Sequence, residues 1–187
     1  MSNRMEVTEM ESEYLKDIDY VDSTELYNLM NQYGDDVWRY AYAITKNKEQ
    51  SKDIAQEVFI KVHSHLHTYR GQSSFKTWLF AITRNIAVNE MRSSYFRKVL
   101  LFGNVRNTRT EQSAEGTYIG IQGAADIRSI IMGLSRKLRE VLILDLEHEL
   151  TMQEIADVLR IPQGTVKSRL NRARKKVEKI WREMENE

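Results

Sequence analysis

The apolar positions from Leu26 to Ile44 (Leu26, Leu29, Met30, Tyr33, Val37, Tyr40, Ala41 and Ile44) recur every three or four residues, the period of an amphipathic helix. Asp22, with Glu25 three residues on, is suited to cap that helix, and Gly34 is where it would bend or break. After a turn over 46–48, Ala55, Val58, Phe59, Val62 and Leu66 predict a second buried stripe, and Asp53, Gln56, Glu57 and Ile60 fall on the opposite face. Tyr69-Arg70-Gly71-Gln72-Ser73-Ser74 carries no period and reads as a loop. Ser73 or Ser74 then caps a third helix, with Phe75, Trp78, Leu79, Ile82 and Ile86 inward, running to about Arg97. Three such helices bury their stripes only by packing on one another.

From Val99 to Ala125 the periodicity fails, and Gly103, Gly116, Gly120 and Gly123 accumulate among polar residues, as in an interdomain linker. A second helical unit starts near Asp126 with Ile127, Ile130, Ile131 and Leu134, and continues through Val141, Leu142, Leu144 and Leu146. The expected division is an acidic, flexible segment over 1–21, a first domain over 22–98, the linker over 99–125 and a second domain over 126–187. The fold class is all-α, two small helical domains joined by a flexible linker.

Within the second unit, Thr151 with Glu154 three residues later forms a capping box for a short helix carrying Ile155, Ala156 and Leu159. Ile161 and Pro162 make a turn, and Gly164-Thr165 opens a helix with Val166, Leu170, Ala173 and Val177 inward. A small residue at the crossing, an apolar turn residue and an apolar residue early in the second helix fit a helix-turn-helix. Its outward face is Thr165, Lys167, Ser168, Asn171, Arg172 and Lys175, side chains able to read base edges in a major groove, while Arg169, Arg174 and Lys176 suit phosphates. The bland alternative is a charged amphipathic helix without a DNA role.

Composition narrows the chemistry. In 187 residues there is one Pro and no Cys, so helices dominate and disulfides, thiolate metal sites and cysteine nucleophiles are excluded. The net charge of +1 hides an uneven distribution: Met1 to Asp36 holds ten acidic residues against two basic, Lys61 to Leu100 seven basic against Glu90, and Arg160 to Arg182 nine basic against Glu178. Two separate basic segments suggest two contacts with a polyanion. His63, His65 and His67 raise a metal site, but His65 leaves the face that His63 and His67 share, so neither metal nor cofactor is expected. No nucleophile set or phosphate loop is evident, hence no enzyme. The acidic start lacks a signal peptide's charge and apolar stretch, and no run is long enough to span a membrane, so the expected place is the cytoplasm.

Three stretches, in this order, carry a family resemblance: Asp53-Ile54-Ala55-Gln56-Glu57-Val58-Phe59, then Tyr69 to Leu79, then Ile155-Ala156 through Gly164-Thr165-Val166-Lys167-Ser168-Arg169-Leu170. The chain resembles the extracytoplasmic-function group of bacterial sigma factors in the sigma-70 family. The resemblance implies a core-RNA-polymerase subunit that directs promoter recognition, melting and initiation and supplies no catalytic residue. Asp53, Gln56, Glu57 and Ile60 would meet the β′ clamp helices, and the β flap is a further polymerase contact. Tyr69, Gly71, Ser73, Ser74, Phe75 and Asn85 would line a pocket for a flipped base of the minus-ten element, with Lys76, Arg84 and Arg92 on the non-template backbone. Thr165, Lys167, Ser168, Arg169, Asn171, Arg172 and Lys175 would read the minus-thirty-five duplex. Without the resemblance, the inward spacing of Phe75 and Trp78 reads as core; Trp78 is kept there, and for Phe75 both readings stand.

An anti-sigma factor, often membrane-anchored in this family, is a further implied partner. The acidic amino terminus, Arg160 where a turn glycine is common, and Ser135 where proline often stands depart from the usual pattern. The competing reading is a stand-alone helix-turn-helix regulator, its amino-terminal domain sensing a ligand or dimerising; a second is a protein-interaction module whose basic faces meet acidic partners.

Overall fold

Apolar stripes on successive helices decide the packing, and a computed structural model describes residues 23–102 and 122–186 of the outcome. Among these every regular element is helical: α1 (Ser23–Thr45), α2 (Lys48–His65), a 3-10 turn (Leu66–Thr68), α3 (Phe75–Phe102), α4 (Gln122–Gly133), α5 (Arg136–Leu146), α6 (Met152–Leu159) and α7 (Gln163–Glu185). The all-α expectation holds.

Helices α1, α2 and α3 form the first unit, closed over Leu29, Tyr33, Val37, Tyr40, Ile44, Ile54, Val58, Phe59, Val62, Phe75, Leu79 and Phe80. The α1 helix runs unbroken through Gly34. It ends where Lys46 turns left-handed (φ 57°), and Asn47 restarts the chain by accepting the Gln50 amide on its side chain (3.0 Å). The expected cap Asp22 lies outside the described residues. Met30, placed in the inner stripe by its spacing, is 43% exposed, while Ser51 and Ile54 are buried in α2 beside the expected set and Ala55 only half-buried. Of the α3 stripe, Phe75, Leu79 and Ile86 are buried, and Trp78 and Ile82 half-buried against the core.

The second unit packs α4, α5, α6 and α7 around Leu134, Val141, Leu142, Leu144, Ile155, Val158, Val166, Leu170 and Ala173. Leu146 and Ile127, part of its apolar series, are largely exposed. Helix α3 continues to Phe102, past the expected end at Arg97, and α4 opens at Gln122. Both ends of the expected linker are therefore helical; the rest of it lies outside the described residues. The two units do not stand apart. Helix α3 packs on α6, α1 packs on α5, and the buried apolar side chains form one contiguous cluster across both.

Candidate nucleic-acid and polymerase interfaces

On α2, Asp53, Gln56, Glu57 and Ile60 are all exposed, Ile60 by 67%, because the opposite face is anchored by Ile54, Val58 and Val62. They make one patch with two carboxylates, an amide and an isolated apolar side chain.

The loop before α3 is pinned from below. Tyr69 is 3% exposed and donates its hydroxyl to the Ser73 carbonyl (2.7 Å), and Gly71 adopts φ 65°, which favours a residue without Cβ. Tyr69, Phe75 and Trp78 pack as a ring cluster with centroids 5.5–5.8 Å apart, and Tyr33 meets Phe75 edge-on at 5.4 Å. Phe75 is 1% exposed. The structure therefore moves Tyr69 and Phe75 from the wall of a base pocket to the core beneath it, where rings gain more from burial than from facing water. Gly71 is exposed and Ser73 and Ser74 half-buried, so these three remain at the loop surface. Ser74 is the cap of α3, its hydroxyl accepting from the Thr77 amide (3.2 Å). Asn85 lies eleven residues further along the same helix, about 16 Å away. One base cannot touch both; Asn85 belongs to the strip beyond the loop.

The charged residues expected on the non-template backbone are differently placed. Lys76 is paired with Asp36 (3.5 Å) and lies over the Phe80 ring (5.8 Å). Arg84 donates Nε to Glu140 Oε2 across the junction (2.9 Å), and Glu140 also meets Arg136 (3.1 Å). Arg92 is exposed. Burial raises the Asp36 carboxyl, but the His148 ring and the Lys76 ammonium more than offset this and hold it below the ordinary range.

The helix-turn-helix forms as its spacing predicts. Thr151 accepts the Glu154 amide and the Glu154 carboxylate accepts the Thr151 amide (2.9 Å), a complete capping box. Arg160 ends α6 in the left-handed region (φ 52°, ψ 53°), and the Ile161 amide reaches the Ala156 carbonyl (3.1 Å). The usual left-handed turn is kept without its glycine. On α7, Lys167, Asn171, Arg172 and Lys175 are exposed, and Thr165, Ser168 and Arg169 half-buried. Arg172 braces on Ser168 (3.3 Å to both its carbonyl and hydroxyl oxygens), and Arg174 is tied to Asp145 (2.7 Å).

Four residues that the sequence did not single out sit where the units meet: Thr77, Arg139, Glu140 and His148. Arg139 is 4% exposed and donates to carbonyls at the ends of two helices, Ala43 and Ile44 of α1 and, across the end of α4, Met132 (3.1 Å) and Leu134 (2.7 Å). Burial lowers its basicity and Glu140 opposes that. An arginine between apolar positions carries no mark of such a role in sequence. Around the three histidines raised as metal ligands, His65 leans on the Lys61 carbonyl and stacks near His67 at 6.3 Å.

Known proteins were compared with this arrangement. The family descriptions "Sigma-70 region 2" and "Sigma-70, region 4" match residues 29–96 and 124–177, one on each unit. The sigma factor YlaC of Bacillus subtilis is 30% identical over 154 residues, covering 81% of this chain and 89% of YlaC. The sigma factor SigW of the same organism, of the extracytoplasmic-function (ECF) group, is 27% identical over 179 residues, 91% and 96% of the two chains. The chain belongs to the sigma-70 family of RNA polymerase sigma factors, in its ECF group. In fold it is similar to RpoE of Bartonella quintana, solved with the anti-sigma factor NepR (TM-score 0.68, 21% identity, 83% of this chain and 96% of that one). It is also similar to CnrH, solved with the cytosolic domain of CnrY (TM-score 0.63, 18% identity, 93% and 96%). The region 2 match covers the unit that a stand-alone regulator would have used for ligand sensing, and that reading falls. No helix among the described residues is long and apolar enough to cross a membrane.

Proposed function

We propose that this sigma factor docks on core polymerase through Asp53, Gln56, Glu57 and Ile60, reads a melted minus-ten element through the loop of Gly71, Ser73 and Ser74, and reads a minus-thirty-five duplex through α7. The region 2 match over residues 29–96, which includes α2, carries the reading, and the four docking residues are exposed on that helix. Arg84, Asn85 and Arg92 share one side of α3 as a track for the non-template strand, Lys76 stands at the start of the helix on another side, and Tyr69 and Phe75 shape the loop from inside. Thr165, Lys167, Ser168, Arg169, Asn171, Arg172 and Lys175 face the major groove.

Binding energy opens the duplex and polymerase performs nucleotidyl transfer, so this chain supplies no catalytic residue and needs no cofactor. The groove of Ile127, Ile131, Leu142, Leu146, Val177 and Trp181 suits an apolar helix of the β flap. The protein works in the cytoplasm. An anti-sigma factor is the expected inhibitor, because RpoE of Bartonella quintana, similar in fold, was solved with one.

Run-off transcription from fragmented genomic DNA with purified core polymerase tests the assignment. Discrete new transcripts are expected with the wild type and their loss with Asp53→Ala plus Gln56→Ala; unchanged transcripts in that variant would contradict the docking face, and no transcripts with the wild type would contradict the function.

A further inference from the structure

Resting on the minus-thirty-five reading above, we propose that Arg160, in the turn between α6 and α7, holds a phosphate at the edge of the minus-thirty-five element. The contact is independent of base sequence, and it accounts for an arginine at a position where the backbone favours glycine.

The backbone of the turn is fixed from both sides. The Arg160 amide reaches the Ala156 and Asp157 carbonyls, the Ile161 amide returns to Ala156 (3.1 Å), and the Pro162 ring sets the entry to α7. Together they hold residue 160 at φ 52°, ψ 53°, whichever side chain it carries. Glycine is unstrained there and asparagine only slightly strained, whereas arginine is strained. Lys46 and Glu149 are left-handed as well, so strain alone marks no function. Arg160 differs in where it stands and in what its side chain lacks.

Among the described residues the exposed Arg160 guanidinium makes no hydrogen bond or ion pair. Its charged neighbours in the same motif are engaged: Asp157 accepts from Gln153 (2.9 Å), Arg172 braces on Ser168 and Arg174 is tied to Asp145. The dipole of α6 favours a cation near its carboxyl end. The exposed position of Asp157 would serve that need in ordinary helical geometry, and the chain puts a carboxylate there.

Position supplies the missing partner. Arg160 stands three residues before Gln163, the first residue of α7, a chain reach of at most about 10 Å. A helix with its side chains is about 10–12 Å across, and the major groove is about 12 Å wide. When the amino-terminal end of α7 enters the groove it fills it, and the residues leading into the helix lie against the phosphate ridge. A free guanidinium at that ridge meets an anion to which it can donate two parallel hydrogen bonds. The contact adds affinity and fixes how α7 is seated, while the outward face of α7 reads the bases.

Core polymerase carrying the full-length chain, bound to a duplex promoter recovered by run-off, tests this across a series of salt concentrations. Arg160→Gly and Arg160→Asn should each weaken binding about five-fold near 0.1 M salt and lower the slope of log affinity against log salt by about one. The loss should be equal on a promoter with a substituted minus-thirty-five base pair, and Arg160→Lys should lose less. Thermal unfolding of the free chain should move the other way, with Arg160→Gly melting above the wild type, which separates the contact from damage to the turn. Single phosphates at the edges of the element, replaced in turn by uncharged methylphosphonates, should locate the partner: at one of them wild-type binding falls to that of Arg160→Gly, and the variant loses nothing further. Wild-type affinity and salt slope in Arg160→Gly would overturn the proposal, as would a loss confined to one base sequence or the absence of any such phosphate. Lys167→Ala with Arg172→Ala separates the two readings. If that pair also leaves promoter binding unchanged, the minus-thirty-five reading falls and Arg160 with it; if the pair weakens binding while the Arg160 variants do not, only the phosphate contact falls.

Discussion

The two surfaces expected to meet DNA are built on opposite terms. On α7 the working side chains project from a helix whose other side is locked by Val166, Leu170 and Ala173, and the exposed Lys167, Asn171 and Arg172 face outward, only Arg172 bracing on its own helix. Before and along α3 three of the working side chains are engaged, Ser74 with Glu154, Lys76 with Asp36 and Arg84 with Glu140, while Arg92 is exposed. A duplex reader finds its groove already formed and can be preorganised. A reader of melted strand has no target until polymerase opens one, and covering it until then costs little.

The comparison breaks most visibly at Glu140, which is 3% exposed between two arginines. Glu140→Ala should lower stability by about 3 kcal/mol, measured by urea unfolding, because it strands the half-buried Arg84 beside Arg136. Next is Lys167→Ala with Arg172→Ala, expected to cost about 1–3 kcal/mol in binding of the minus-thirty-five duplex and to relax its sequence preference, without changing the urea midpoint.

Acid gives a smaller, signed test. Burial raises the Glu154 carboxyl, but hydrogen bonds from Thr151, Ser74 and Thr77 outweigh it and hold the group below the ordinary glutamate value of 4.5. Its contribution to folding stability is full above that value and lost as pH falls through the depressed native one. The urea midpoint should therefore drop in that acid window, and Glu154→Ala should lack that step. The smallest effect is at Arg160: Arg160→Gly should stabilise the turn by about 1 kcal/mol in thermal unfolding, since φ 52° strains any residue with a Cβ.

Helices, the loop before α3 and the helix-turn-helix were legible because each rests on local spacing: a period near 3.6, a cap, a turn. The Thr151–Glu154 box shows where that stops. One carboxylate oxygen serves the local cap and was readable; the other serves Ser74 and Thr77, some eighty residues away, and no local pattern encodes it. Arg84 was read as a strand contact from its charge and position, and its partner Glu140 was invisible for the same reason. The family pattern draws Phe75 to the surface while its spacing points inward, and the spacing prevails; Tyr69 lies in a loop without a period, so nothing local marks its burial. The α3 helix outran its expected end because Val99 to Phe102 continues a helix without a breaker before Gly103.

The most direct measurement is equilibrium binding of the wild-type chain to two probes from one recovered promoter, the minus-thirty-five duplex and the single-stranded minus-ten non-template strand, with and without core polymerase. The account predicts measurable duplex binding by the free chain at low salt and strand binding only with polymerase present. Equal binding of both probes by the free chain would contradict it.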